Sequence, residues 1–100
     1  MPYTEFQIAL GPARVIVRLT TLQGDLVRYA VILQTLEASG WANVRLWDNS
    51  DGPHHEHKYN RKGEKLPPKV LPYATPNHAL QAALTDVKGG YERMVSEWRR

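Results

Sequence analysis

Thr75-Pro76-Asn77-His78-Ala79-Leu80-Gln81-Ala82-Ala83-Leu84-Thr85-Asp86-Val87 opens the stretch whose period decides the fold class. From it, Leu80, Ala83, Leu84, Val87, Tyr91, Met94, Val95 and Trp98 recur at helical spacing, which lays them on one stripe of an amphipathic helix over about 76–98. Thr75 is a good N-cap, and Pro76 at the first helical position gives up an N–H that has no intrahelical partner there. Gly89-Gly90 costs about 1 kcal/mol per glycine relative to alanine, so the pair predicts either a kink or a close approach of helix backbone to the sheet. His78 falls exposed in the first turn, where the helix dipole disfavours its protonation. Trp98 ends the stripe as a core anchor, and Arg99-Arg100 complements the negative end of the dipole.

Upstream of Thr75 the period falls to two. Residues 3–9 alternate as a first strand, and Gly11-Pro12 punctuates its end. In 13–20, Ala13, Val15, Val17 and Leu19 oppose Arg14, Ile16, Arg18 and Thr20, a strand with one buried face. Leu22 to Asp25 supplies a turn. Residues 26–36 have the length of a strand or a short helix, and the alternation of Val27, Tyr29, Val31 and Leu33 with Arg28 and Gln34 favours strand. Glu37-Ala38-Ser39-Gly40 turns into 41–49, its hairpin partner. There Val44, Leu46 and Asp48 share one face, and Arg45, Trp47 and Asn49 the other. Asn49-Ser50-Asp51-Gly52-Pro53 concentrates turn formers, 54–60 runs back as the next strand, and 61–65 turns again. Pro67, Pro68 and Pro72 allow 66–73 to be at most an edge strand or an extended connection. Strands followed by one helix give an α+β domain over 1–100: an antiparallel sheet of four to five strands, about 3–73, with one long C-terminal amphipathic helix packed on one face.

Composition narrows the function classes. With 42% hydrophobic and 23% charged residues the chain has the balance of a globular domain, and 100 residues suffice for one core. The absence of cysteine removes disulfides, thiolate zinc sites, iron–sulfur clusters and cysteine nucleophiles, so any metal needs His, Asp or Glu ligands. The start carries no basic region ahead of an apolar run, and nothing approaches the ~20 apolar residues of a membrane span, which points to a cytoplasmic protein with no membrane partner. The net charge of +3 is mild, but Lys58, Arg61, Lys62, Lys65 and Lys69 share one short segment with Glu64 as its sole acid. Such a segment attracts a phosphate backbone or an acidic protein, or serves only as a solvated, soluble turn.

The chemistry concentrates at Pro53-His54-His55-Glu56-His57. On a strand, His55, His57 and Tyr59 project from one face and His54, Glu56 and Lys58 from the other. A one-residue slip at Pro53 exchanges the two sets. Three roles compete for the histidine pair. It acts as acid and base in RNA cleavage without a metal, with Asp48 orienting one imidazole and Lys58, Arg61 and Lys62 binding phosphate beside Tyr59. It holds a divalent metal together with Asp48 or Glu56 as an oxygen ligand. Or it is structural, stacked on the sheet and hydrogen-bonded to Asp48 or a carbonyl. Tyr29, Tyr59 and Tyr73 are candidates for the same face.

Trp47-Asp48-Asn49 followed by Pro53-His54-His55-Glu56-His57 resembles a group of small prokaryotic proteins that includes the TumE-type toxins of toxin–antitoxin pairs. The likeness runs over roughly residues 26–98 in the order of elements, and about a dozen positions carry it. This chain departs from the group in the insert Ser50-Asp51-Gly52 and in the proline-rich 66–73. The resemblance implies the toxin of a two-gene module, with a DNA-binding antitoxin protein as partner and RNA as target. Joined to the reading of the histidines, it gives a toxin-like ribonuclease with His55 and His57 as acid and base, Asp48 orienting one of them, and no cofactor. The alternative in another class is a non-enzymatic binding domain, a homodimer, that uses the same face for a divalent metal or a protein partner.

Overall fold

A computed structural model describes residues 2–50 and 52–100; Met1 and Asp51, the latter one of the turn formers above, lie outside them. The strands are β1 (Tyr3–Leu10), β2 (Ala13–Leu22), β3 (Asp25–Glu37), β4 (Gly40–Asp48), β5 (His54–Lys58) and β6 (Lys69–Leu71), followed by helix α1 (Pro76–Trp98). They form one antiparallel meander in the order β1-β2-β3-β4-β5-β6. The class and the C-terminal helix are as expected from the sequence, but the sheet has six strands where four to five were expected. The additional one is β6, three residues that pair His55 with Val70 at the edge. Pro68 and Pro72 bound it, because a residue without an N–H is tolerated only where no further strand must pair.

Within 25–37 the strand prevails over a helix because its neighbours on both sides reward alternation. Tyr29, Val31, Leu33 and Thr35 are buried on one side, between β2 and β4. Two irregularities adjust the ladders. The second pairs Leu33 with Arg45 but Gln34 with Asn43, leaving Val44 as an extra, buried residue in β4.

One side of the sheet carries the core. Ala13, Val15, Val17, Tyr29, Val31, Leu33 and Trp47 meet Leu80, Ala83, Val87, Met94, Val95 and Trp98 of α1. The helix packs on β3 and β4 and leaves the opposite side of the sheet open. Thr75 caps it, its Oγ1 accepting from the His78 N–H at 3.1 Å, and His78 is exposed. The helix runs unbroken through Gly89-Gly90. A Cβ at Gly90 would lie 3.3 Å from Met94 Cε and 2.9 Å from Arg93 Nη2, so this glycine admits side chains of its own helix, and not a strand. No described helix is long and apolar enough to cross a membrane.

Tyr29 joins the helix-side core to the histidine strand. It is 2% exposed, its hydroxyl lies 3.0 Å from His54 Nδ1, and the two rings stack with centroids 5.7 Å apart. Burial above all, then the charge of Asp48, pushes the phenol up to about 12. A folded-state value above the unfolded value near 10 favours the native state fully below pH 10, and the benefit disappears as pH rises through 12. The protein should therefore lose about 2–3 kcal/mol of stability between pH 10 and 12 on account of this residue. In urea titrations across that range Tyr29→Phe should flatten the slope; an unchanged slope would show that another group governs alkaline unfolding.

Candidate functional site

β4 and β5 pair Leu46 with His57 and Asp48 with His55. Strand alternation therefore sends Asp48, His55 and His57 to the open side of the sheet, and His54, Glu56 and Lys58 to the helix side. The ambiguity between His54 and His55 is resolved by His54 being buried against Tyr29.

One donor atom each from Asp48, His55 and His57 lies within 4.8 Å of the others. The imidazole centroids are 5.8 Å apart with the rings tilted by 58°. Two of the three groups are held from behind. Asp48 is 8% exposed, and its Oδ2 accepts a hydrogen bond from the Ser50 hydroxyl at 2.7 Å. His57 Nδ1 lies 3.0 Å from the Leu66 carbonyl oxygen, which only accepts, so the proton sits on Nδ1 and the Nε2 lone pair of the neutral ring is free. Asp48 Oδ1, by contrast, is buried and has no hydrogen-bond partner among the described residues. An unpartnered buried oxygen of this kind costs about 1–3 kcal/mol, more when charged.

Trp47-Asp48-Asn49 divides its work by face. Trp47 fills the core, Asp48 faces the histidines, and Asn49 clamps the end of β3: its Oδ1 accepts from the Tyr29 N–H at 3.0 Å and its Nδ2 donates to the Val27 carbonyl at 3.1 Å. On the open side a polar row crosses the sheet. Arg14 Nε donates to Gln34 Oε1 and Gln34 Nε2 to Asn43 Oδ1, both at 2.8 Å. Tyr59 extends the row: burial and the charge of Asp48 raise its phenol above the ordinary value, and a hydrogen bond with the Asn43 side chain pulls it back.

The cations do not follow the histidines. Lys58 pairs with Arg45 in register and points to the helix side. Arg61 binds Glu37 at 3.2 Å and lies over the Trp98 ring, 4.4 Å from its centroid. Lys62 sits exposed in a turn closed by Asn60, whose Oδ1 accepts the Lys62 N–H at 3.0 Å. Tyr29 is on the core side. The fold thus brings Asp48, His55 and His57 together, adds Tyr59 through Asn43, and directs Lys58 and Arg61 elsewhere.

Sequence reasoning passed over Ser50 and the Leu66 carbonyl, because both reach the site from loops. It also passed over Arg45, which is 7% exposed and binds Glu56 at 2.8 Å and Glu97 at 3.4 Å. A signal existed there, since Arg45 shares a face with Trp47.

A family described as a domain of unknown function, DUF7718, matches residues 1–100. The chain belongs to that family. No curated protein and no solved structure matches it. The DUF7718 description names no activity, so function must come from the donor set itself. Two imidazoles and one carboxylate form a nitrogen and oxygen set that suits Zn²⁺, Fe²⁺, Co²⁺ or Ni²⁺; Ca²⁺ and Mg²⁺ prefer oxygen ligands throughout. Around a metal at 2.0–2.1 Å, neighbouring donors stand about 3.3 Å apart, so small rotamer changes close the set from its present spacing.

Proposed function

We propose that this domain binds a divalent first-row transition metal ion through Asp48, His55 and His57 on the open side of its sheet. The observation that carries the reading is Asp48 Oδ1, a buried carboxylate oxygen with no partner among the described residues, beside two imidazole donors. A cation removes the cost of burying that oxygen. The Leu66 carbonyl behind His57 and the Ser50 hydroxyl behind Asp48 are the kind of outer contacts that orient metal ligands. Three protein ligands leave at least one position for water, which a divalent metal acidifies into a nucleophile near neutral pH. The likeness to TumE-type toxins makes RNA the first substrate to try.

A second reading retains the metal-free ribonuclease toxin. Its support is the pair of imidazoles 5.8 Å apart with a carboxylate alongside. Against it stands the placement of Lys58 and Arg61, two of the three cations that mechanism assigns to phosphate, away from the histidines.

One preparation tests both. Protein purified without a metal-affinity column should contain close to one equivalent of a transition metal by elemental analysis, or take it up with a sharp calorimetric end point. Incubation with total RNA follows, with and without EDTA. Cleavage that survives chelation and is lost in His55→Ala would favour the second reading. Failure to bind Zn²⁺, Fe²⁺, Co²⁺ or Ni²⁺ at ratios near one would sink the first.

A further inference from the structure

The two edges of the sheet are built differently. At one edge β6 is three residues long and bounded by prolines, a form in which natural sheets avoid further pairing. At the other, β1 runs eight residues in continuous register with β2, with no bulge, no proline, and neither lysine nor arginine. Its single charge, Glu5, is occupied by Arg18 Nε and the Tyr3 hydroxyl, each at 2.9 Å. None of the usual devices that blunt an edge is present in β1.

The hydrogen-bonding pattern tells which groups are open. The Thr21 N–H donates to the Pro2 carbonyl at 3.1 Å, so Pro2 and Thr21 form a closely spaced pair. Antiparallel ladders alternate. Thr4, Phe6, Ile8 and Leu10 therefore exchange their bonds with Leu19, Val17, Val15 and Ala13, while the N–H and C=O groups of Tyr3, Glu5, Gln7 and Ala9 point away from the sheet. On the helix side, α1 covers β3 and β4 and leaves Phe6 of β1 41% exposed.

We infer that β1 pairs with β1 of a second copy of the chain, antiparallel about a two-fold axis, to make one continuous sheet. The occupant follows from the strand's self-complementarity. Outward groups must meet outward groups, which restricts the pairing to registers that place one residue of β1 on the axis or opposite itself. Centring on Glu5 sets two carboxylates face to face. Centring on Gln7 leaves Tyr3 unpaired. Centring on Phe6 pairs residues 3–9 throughout, with Tyr3 opposite Ala9, Thr4 opposite Ile8 and Glu5 opposite Gln7. It sets the two Phe6 rings against each other at a non-hydrogen-bonded position, where side chains are closest. The Gln7 amide of each copy then donates to Glu5 of the other, and the exposed Phe6 rings fill the trough between the two helices.

Sedimentation of the full chain at about 100 μM should give twice the 11.4 kDa monomer mass. Gln7→Pro removes an outward N–H without touching the ladder to β2, and Phe6→Lys places like charges on the axis; each should raise the dissociation constant about 30-fold or more. Should Gln7→Pro fail to fold, Phe6→Lys and amide exchange decide. Dimer formation should slow exchange at Tyr3, Glu5, Gln7 and Ala9 and leave Thr4, Phe6 and Ile8 unchanged. A monomer at this concentration, or a dimer indifferent to both substitutions, would overturn the assignment.

Discussion

Asp48→Asn should leave the metal-free domain as stable as the parent, or up to about 1 kcal/mol more stable, while removing metal binding. The carboxylate is 8% exposed, and its Oδ1 has no hydrogen-bond partner among the described residues to compensate its burial. The neutral amide deletes the buried charge, keeps an oxygen for the Ser50 hydroxyl, and offers its N–H groups to the imidazoles beside it. In the parent, metal at a hundredfold excess over its dissociation constant should stabilise the folded state by about 2.7 kcal/mol. For a domain of this size that moves the melting temperature by roughly 10–20 °C. In Asp48→Asn and in His57→Ala the shift should vanish. Thermal melts with and without Zn²⁺ check this, and the sign for the metal-free form is the sharp part. If Asp48 only pins the β4–β5 turn, the asparagine variant melts lower without metal and keeps whatever shift the parent shows.

Sequence alone revealed the hairpin of β4 and β5 and brought Asp48 near the histidines, because period-two alternation flanks a dense turn. Which of His54 and His55 faces Asp48 stayed open to a one-residue slip at Pro53, and only the burial of His54 against Tyr29 decides it. The fate of the basic segment did not follow. Lys58 lies one residue from His57, yet neighbours on a strand point apart, and Arg61 is captured by Glu37 and Trp98, far away in sequence. Proximity along the chain says little about a site once it crosses a turn. The sixth strand was open for another reason: the prolines allow 66–73 to be an edge strand or an extended connection, and the free edge of β5 decides for three paired residues between them. Gly89-Gly90 misled because a glycine pair signals spare room without saying which element uses it, and here the room around Gly90 is used by Arg93 and Met94 of the same helix.

Arg45 supplies the largest expected loss of stability, from the helix side of the sheet behind the histidines. Its side chain is 9% exposed and binds Glu56, 12% exposed, at 2.8 Å; Glu97, at 37%, is too solvated to contribute much. Arg45→Ala leaves Glu56 buried without its partner, which costs about 3–5 kcal/mol. Replacing both residues by apolar ones of similar size, Arg45→Met with Glu56→Leu, removes the unpaired charge along with the pair and should recover most of that loss. Urea midpoints of the two variants and the parent measure both steps. Equal losses in the single and double variants would mean that the arginine acts through packing alone. The pair also bears on the site. Arg45 and Glu56 are diagonal neighbours across β4 and β5, one residue out of phase with the row holding Asp48, His55 and His57. A one-residue slip between these strands would send the histidines into the core and Glu56 into solvent, so loss of the ion pair should loosen the register in which the three donor groups meet. The double variant should therefore regain stability but bind metal more weakly than the parent, and an undiminished affinity would show that turn and core packing hold the register unaided.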